Sequence, residues 1–224
     1  MQQTDKIAVL RRSLIFSGLD DKELDELARF SVERHFDEGE FVFWEGDAPD
    51  WFYIIADGRI KVIKHASSGK EFIVAFFSGG DIFGEVAVFE NKPYPASSQA
   101  INAVNVVGIK QADFLKFLSQ RPQVALRIIN ILGGRLREAQ TRLSDFAGER
   151  AEQRVFRILF MLYSRIGPEL PFTRQEVADM AGTTTETTIR IISRLITAGI
   201  IKSGRGKMMV LNEKKLKLLN QGPP

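Results

Sequence analysis

Cysteine is missing from the 224-residue sequence, which excludes disulfides, thiolate zinc sites and cysteine-ligated iron–sulfur clusters. Histidine is scarce, and only His35 and His65 could offer an imidazole to a haem iron. No apolar run is long enough to span a bilayer, and the first ten residues are polar rather than secretory, so we expect a cytoplasmic protein with no membrane partner. The sequence also lacks HExxH, a P-loop and any nucleophile–base–acid set, so we do not expect an enzyme.

The charge is distributed unevenly along the chain. Residues 149–224 contain 13 Lys/Arg against 7 Asp/Glu, a net charge of +6, whereas residues 1–148 contain 18 against 21, a net charge of −3. A basic C-terminal part beside a mildly acidic N-terminal part is typical of a DNA-binding module attached to a domain of another kind.

Residues 172–201 contain two capping boxes and therefore predict two short helices. Thr173 with Glu176 begins the first helix, Gly182 permits a turn, and Thr183 with Glu186 begins the second helix. Two short helices joined by a glycine-containing turn form a helix-turn-helix, whose second helix can enter the DNA major groove. An ordinary helical hairpin with surface charges is the alternative.

The second helix of this pair is predicted to have two faces and to end before Gly199. We expect its buried face to contain Ile189, Ile192, Leu195 and Ile196. We expect its outward face to carry Thr185, Glu186, Thr188, Ile189 and Arg190. Arginine can bond to guanine O6 and N7, and a glutamate can accept from cytosine N4, so Arg190 and Glu186 are candidate base-reading residues.

A β-hairpin is predicted directly after the second helix. Residues 200–202 and 208–211 are its apolar strands, and the tip between them contains the basic residues Arg205 and Lys207. This arrangement is typical of the wing of a winged helix, and a basic tip beside a recognition helix suits contacts with DNA phosphates. We therefore assign residues 148–224 to a DNA-binding domain.

The N-terminal half shows a different pattern. Residues 6–34 are predicted to be helical, with Asp20 as a helix cap. Residues 34–107 contain about eight short apolar stretches between glycine turns, one of them over 82–89, which predicts an antiparallel barrel or jelly roll. With flanking helices, this barrel forms a predicted sensing domain over residues 1–121, and the fold class is α+β.

A long helix is predicted from Pro122 to beyond Asp145, and we assign residues 122–147 to dimerisation. Its apolar residues form a narrow stripe, which is typical of a parallel coiled-coil seam rather than a broad core face. The stripe consists of Leu126, Ile129, Gly133, Leu136, Leu143 and Phe146. Packing of this helix on its own barrel is the alternative.

This order of domains resembles the CRP/FNR family of bacterial transcription regulators. The most specific motifs are Asp81-Ile82-Phe83-Gly84-Glu85, and Thr173-Arg174-Gln175-Glu176 leading to Glu186 and Arg190. The resemblance implies a homodimer that binds palindromic double-stranded DNA, contacts RNA polymerase and responds to a small-molecule effector held between barrel and long helix. A ligand-sensing module with little DNA binding is the alternative function.

In the DNA-binding half, the resemblance implies base reading by Glu186 and Arg190. Thr185 departs from the cyclic-AMP-responsive members, which carry arginine there, so we expect a half-site closer to TTGA than to TGTGA. The resemblance places phosphate contacts at Arg174, Gln175, Thr184 and Thr187. The full candidate DNA-binding set is Arg174, Gln175, Thr184, Thr185, Glu186, Thr187, Ile189, Arg190, Arg205 and Lys207.

In the sensor half, the sequence departs from the nucleotide-binding members. Those members carry Arg-Ser about ten residues after the positions of Gly84 and Glu85. At that place this chain has Pro93-Tyr94-Pro95-Ala96-Ser97, and no cation occurs from there to Ile109. A buried phosphate left unpaired costs several kcal/mol, so cyclic AMP is not expected. The candidate effector-binding residues are Phe76, Phe83, Gly84, Glu85, Val86, Tyr94, Ala96, Ser97, Arg135, Ala139 and Gln140. A haem-based sensor of nitric oxide, carbon monoxide or redox state, with His35 or His65 as the haem ligand, is an alternative function that the family resemblance implies. Solvated surface histidines are the other interpretation.

Overall fold

A computed structural model describes residues 3–65, 71–204 and 206–221, except the side chains of residues 3–5, 142 and 145–147. The chain forms two compact units: the first contains the described residues up to 65 and residues 74–136, and the second contains residues 71–73 and the described residues from 137 onward.

The chain begins with two short helices, α1 (Gln3–Arg12) and α2 (Asp21–Arg29), with a single 3₁₀ turn between them. Asp20 caps α2 as predicted, because its carboxylate accepts from the Glu23 N–H at 2.9 Å while the Glu23 carboxylate accepts from the Asp20 N–H at 3.0 Å. The prediction that residues up to 34 are helical is wrong at its end. Residues from 31 onward instead pair with a later strand and form the first strand of the barrel.

The described residues of the barrel form eight strands, and the jelly-roll prediction is confirmed. They are β1 (Ser31–Phe36), β2 (Phe41–Phe43), β3 (Trp51–Asp57), β4 (Arg59–His65), β5 (Glu71–Ser78), β6 (Ile82–Phe83), β7 (Ser97–Ala100) and β8 (Val104–Lys110). One sheet has the order β1-β8-β3-β6 and the other β2-β7-β4-β5. Except for β4 and β5, which share a sheet, consecutive strands alternate between the two sheets. The apolar side chains that face inward from both sheets form a common core.

The predicted strand over 82–89 is wrong beyond its first two residues. The chain leaves β6 at Gly84, whose φ of +80° favours glycine, and then forms the helix α3 (Glu85–Glu90). Ala87 and Val88 are buried by this helix, whereas Val86 is 40 % exposed. A run of apolar residues this short does not distinguish a strand from a buried helix.

Two helices follow the barrel, α4 (Gln111–Gln120) and the long α5 (Pro122–Gly148). Val124 and Ile128 on α5 pack into the core of the first unit, so one face of α5 does contact its own unit. The predicted stripe lies elsewhere on the helix. Its members Leu126, Ile129, Leu136 and Leu143 are each more than half exposed in the single chain, and the side chain of Phe146 lies outside the described residues.

The second unit contains the predicted winged helix-turn-helix. Its helices are α6 (Ala151–Ile166), α7 (Arg174–Ala181), α8 (Thr185–Thr197) and α9 (Glu213–Gln221), and its strands are β9 (Glu169–Leu170), β10 (Ile201–Gly204) and β11 (Lys207–Val210). The hairpin β10–β11 is the predicted wing, and β9 adds a third strand to it. Among the residues that the structure describes, no helix is long and apolar enough to cross a membrane.

Candidate DNA interface and sensor site

The first helix of the helix-turn-helix is fixed at both ends by hydrogen bonds. At its start, Thr173 and Glu176 form the predicted capping box, with the Glu176 N–H donating to Thr173 Oγ1 at 3.1 Å. At its end, Gly182 has a φ of +59°, and the Thr183 N–H donates to the Ala178 carbonyl at 3.0 Å. This backbone closure is a Schellman motif, which sets where the chain leaves α7.

The predicted second capping box is wrong by one residue. Thr184, not Thr183, caps α8, because its Oγ1 accepts from the Thr187 N–H at 3.2 Å. Thr183 belongs to the backbone closure of α7, so it lies in the turn rather than at the start of α8. Three consecutive threonines offer several candidate caps, and the position of the preceding closure decides between them.

Arg154 on α6 fixes the turn between α7 and α8 by hydrogen bonds, a role that the sequence does not predict. Its Nε donates to the Ala181 carbonyl at 2.9 Å, and its Nη2 donates to the Gly182 carbonyl at 3.1 Å. The last carbonyls of a helix have no partner within it, so Arg154 satisfies the Ala181 carbonyl at the end of α7 and also the Gly182 carbonyl of the turn. Farther along, Arg194 on α8 pairs with Glu152 on α6 at 2.6 Å. In the sequence, Arg154 is one basic residue in an amphipathic helix, and nothing signals its partners.

The two faces of α8 differ partly from the prediction. Ile192 and Leu195 are buried as expected, together with Ile191. Thr188 was expected to face outward, but it is fully buried, because it lies one helical turn before Ile191 and Ile192 on the same face. Ile196 was expected in the core and is 38 % exposed, since the buried face of α8 ends at Leu195.

The exposed face of α8 presents the two candidate base-reading residues. Glu186 and Arg190 are four residues apart, so their side chains lie next to each other on this face. Within the described residues, no hydrogen bond or ion pair holds the Glu186 carboxylate or the Arg190 guanidinium. Both charged groups are therefore available to a ligand outside the chain.

The phosphate-contact candidates surround this face. Thr184 is exposed, and Thr187 is half-buried. Arg174, at the start of α7, donates to Ser203 Oγ of the wing at 3.4 Å. Lys207 is exposed at the start of β11, and Arg205 lies outside the described residues.

Gln175 is already engaged inside the motif. Its Nε2 donates to Asp179 Oδ1 at 2.9 Å, and its Oε1 accepts a hydrogen bond from the Thr185 hydroxyl. The predicted phosphate contact of Gln175 would have to compete with these two bonds.

In the first unit, Glu85 and Arg135 form the most deeply buried charged contact of the candidate effector set. Arg135 Nη1 lies 2.5 Å from Glu85 Oε1, and Nη2 donates to the Ile82 carbonyl at 2.6 Å. The guanidinium also lies over the Phe77 ring, 4.3 Å from its centroid. The Glu85 side chain is only 4 % exposed and that of Arg135 is 26 % exposed. A cation from α5 thus occupies the carboxylate that the family resemblance assigns to a ligand.

Burial raises the pKa of Glu85 above its ordinary value, because the charged carboxylate loses its hydration. The Arg135 guanidinium acts in the opposite direction, since a nearby positive charge favours the ionised form. Arg135 therefore offsets part of the effect of burial, and the pKa of Glu85 remains raised.

Aromatic rings fill the barrel beside this ion pair. Tyr94 stacks on Phe43 with a centroid separation of 3.8 Å, and Phe83 stacks on Tyr53 at 5.1 Å. The Tyr94 hydroxyl donates to the Trp51 carbonyl at 2.6 Å. Burial raises the pKa of Tyr53 to about 12, so the Tyr53 hydroxyl stays neutral. The Tyr94 hydroxyl, which is fixed by its hydrogen bond to the Trp51 carbonyl, is a polar group in an otherwise apolar interior.

Other candidate effector residues are not brought together at this cluster. Phe77 joins the aromatic cluster, whereas Phe76 is buried outside it, because neighbouring residues of β5 point to opposite faces of the sheet. Val86 is 40 % exposed on α3. Ala139 and Gln140 are exposed on α5. Ala96 and Ser97 are buried, and Ser97 Oγ accepts from the Glu45 N–H at 2.9 Å.

The two histidines do not fit a haem site. Nδ1 of His35 lies 2.8 Å from Asn105 Oδ1, and Nε2 lies 3.3 Å from Asp37 Oδ1, so both ring nitrogens have partners on an exposed face of β1. His65 is exposed at the end of β4. An axial ligand needs a nitrogen directed at the iron, and His35 offers none. Among the described residues, no group of three or more His, Asp or Glu side chains is arranged to hold a metal ion.

Two family models match the chain in the order that the fold displays. Residues 33–121 match the cyclic nucleotide-binding domain, and residues 153–219 match the Crp-like helix-turn-helix domain. The chain belongs to the CRP/FNR family of transcription regulators. This family membership confirms the predictions of a DNA-binding regulator and of a protein that is not an enzyme, and it supports DNA and a second copy of the chain as partners.

Relatives across the family carry different names. The chain is 28 % identical over 202 residues to the cyclic AMP receptor protein of Thermus thermophilus, covering 90 % of this chain and 94 % of that protein. It is 29 % identical over 218 residues to the nitrogen fixation regulation protein FixK of Bradyrhizobium diazoefficiens, covering 94 % of this chain and 91 % of that protein. One of these names refers to cyclic AMP and the other does not, so similarity alone does not assign an effector.

Two solved structures support the same family assignment. The structure of FixK2 from Bradyrhizobium japonicum superposes with a TM-score of 0.75 at 25 % identity, covering 87 % of this chain and 99 % of that chain. The crystal structure of the Thermus thermophilus catabolite activator protein superposes with a TM-score of 0.54 at 28 % identity, covering 93 % of this chain and 98 % of that chain.

Proposed function

We propose that this CRP/FNR regulator acts as a homodimer that binds palindromic DNA with TTGA-like half-sites and responds to a small molecule other than cyclic AMP. The proposal that the protein binds DNA rests on Glu186 and Arg190. Both are exposed on α8, and neither charged group has a partner among the described residues. Arginine recognises guanine O6 and N7, and glutamate accepts from cytosine N4, so the pair suits a G·C-containing core in each half-site.

The exposed stripe on α5 supports the homodimer. Leu126, Ile129 and Leu136 lie three to seven residues apart, which is the spacing of a coiled-coil seam. Because Val124 and Ile128 attach another face of the same helix to the first unit, the stripe is left for a second copy. A two-fold symmetric dimer presents two copies of α8 to two inverted half-sites, hence the palindrome.

The contacts of Glu85 support an effector that is not cyclic AMP. Arg135 already occupies this carboxylate, and no cation is present in the sequence between Pro93 and Ile109 to neutralise a buried phosphate. The stacked rings of Phe43, Tyr94 and Phe83 suit an apolar or planar ligand instead. RNA polymerase is the protein partner that this role requires.

The test is fluorescence anisotropy with a duplex that carries two inverted TTGA half-sites about one helical turn apart. Arg190→Ala should weaken binding by about 1–3 kcal/mol and relax discrimination at one base pair, whereas Lys207→Ala should weaken all sequences alike. Lys217→Ala is the matched control, because it also removes one exposed cation but lies on α9 rather than on α8. Unchanged binding of Arg190→Ala to its best site would remove α8 as the recognition helix.

The effector part is tested separately by thermal-shift screening with a metabolite panel. Cyclic AMP is expected to leave both the unfolding temperature and the DNA affinity unchanged. A stabilisation by cyclic AMP that disappears in Glu85→Gln would contradict the proposal.

A further inference from the structure

The outward face of α8 carries an apolar strip beside its charged one. Thr185 and Ile189 are four residues apart, as are Glu186 and Arg190, so the two pairs form adjacent strips along the helix. Ile189 is 39 % exposed, although an isoleucine is normally buried. An exposed isoleucine beside two candidate base-reading residues is well placed to contact the apolar part of a base.

The conformation of Thr185 determines what this strip presents. Its hydroxyl donates to Gln175 Oε1 on α7, and Gln175 is itself held by Asp179 through a 2.9 Å hydrogen bond. The hydroxyl is therefore directed toward the protein, and the methyl group is the part of the Thr185 side chain that is left for DNA. Thr185 behaves here as a small apolar residue.

We propose that Thr185 and Ile189 select thymine by contact with its C5 methyl group, and that Gln175 is the positioning residue that turns the Thr185 methyl toward the DNA. This inference rests on the proposed role of α8 as the recognition helix. Thymine is the base that displays a methyl group in the major groove, and apolar side chains recognise it there. The strip adjoins Glu186 and Arg190, so the selected thymine adjoins the base pairs that these two residues read.

The decisive comparison is between thymine and deoxyuridine, which differ only in the methyl group and pair identically. Each thymine of the TTGA half-sites is replaced in turn, and affinity is measured by anisotropy with the full-length protein. We expect one replacement to weaken binding about fourfold per half-site, the factor that corresponds to about 0.8 kcal/mol for one buried methyl group. Equal affinity for all thymine and deoxyuridine duplexes would overturn the inference.

Two substitutions of Thr185 separate its methyl from its hydroxyl. Thr185→Val keeps a methyl and should keep the thymine preference, whereas Thr185→Ser keeps the hydroxyl and should reduce that preference. The reverse result would mean that the hydroxyl reads the base, and it would overturn the inference. Ile189→Ala should also reduce the preference.

The role of Gln175 is tested by Gln175→Met, which removes the acceptor, with Gln175→Glu as the variant that retains one. Each variant is scored by its own ratio of thymine to deoxyuridine affinity, so any change in phosphate contacts cancels. We expect the ratio to fall in Gln175→Met and to persist in Gln175→Glu. An unchanged ratio in Gln175→Met would refute the positioning role.

A further duplex distinguishes this inference from the proposed function. In it, the G·A core of each half-site is scrambled while the thymines are retained. If the protein does not discriminate against this duplex, α8 does not read the site and the proposed function fails. If it discriminates against the scrambled core but ignores the methyl group, only the inference about Thr185 and Ile189 fails.

Discussion

Removing Arg135 should destabilise the first unit in a pH-dependent manner. Arg135→Met keeps much of the aliphatic length but leaves the Glu85 carboxylate, 4 % exposed, without its cation. Breaking a buried ion pair from one side costs about 3–5 kcal/mol. Arg135 is one-quarter exposed, and water can reach the site once it is removed, so we expect the lower end of this range, about 3 kcal/mol at pH 7.5.

The sign of the pH effect follows from the pKa of Glu85. Its folded pKa is raised above the unfolded value, so in the window above the unfolded pKa the folded state binds more protons, and stability falls as the pH rises. Loss of Arg135 raises the folded pKa further and widens this window. One pH unit within the window corresponds to about 1.4 kcal/mol, so Arg135→Met should cost measurably less stability at pH 5 than at pH 7.5.

Urea unfolding followed by tryptophan fluorescence measures this effect directly, because Trp44 and Trp51 both lie in the first unit. Glu85→Gln combined with Arg135→Met should abolish the pH dependence, since no carboxylate then remains to ionise. Arg137→Met, which removes an exposed neighbouring charge, is the control and should change stability by less than about 0.5 kcal/mol. An Arg135→Met variant that loses the same stability at pH 5 and pH 7.5 would refute the reasoning.

Two further predictions concern the dimer and the DNA-binding unit. Ile129→Glu places a charge in the exposed α5 stripe and should convert the protein to monomers in analytical ultracentrifugation with an unchanged circular dichroism spectrum; a persistent dimer would exclude this stripe as the seam. Thr173→Ala removes the α7 cap and should lower the opening free energy of α7 amides by about 1 kcal/mol in hydrogen exchange. Thr197→Ala, at the exposed end of α8, is its control, and equal effects of the two substitutions would contradict a specific capping role.

Elements bounded by local signals could be predicted from the sequence. The capping boxes at Asp20 and Thr173 need only residues three positions away, and the wing is an apolar–basic–apolar pattern within twelve residues. Gly199 lies just beyond the end of α8 as predicted. In each case the deciding hydrogen bonds connect neighbours in the chain, so the residue types alone indicate the structure.

The remaining features depend on contacts between distant residues. Glu85 and Arg135 are 50 positions apart, and no local pattern indicates that a guanidinium from α5 reaches the barrel carboxylate. Residues 82–89 are apolar in a way that suits a strand or a helix, and Gly84 decides between them through its backbone conformation. Thr188 was expected on the outward face of α8, but its position on the helix buries it against the core.

The attachment of the helix-turn-helix to α6 bears on how a signal could travel within the second unit. Arg154 ties the turn to α6 through two carbonyls, and Glu152 ties the far end of α8 to α6 through Arg194. The orientation of the DNA-contacting surface therefore depends on the orientation of α6. Any ligand that rotates α6 changes the direction in which Glu186 and Arg190 face the DNA. Because coupling between binding sites is reciprocal, DNA bound to α8 changes the free energy of that same rotation.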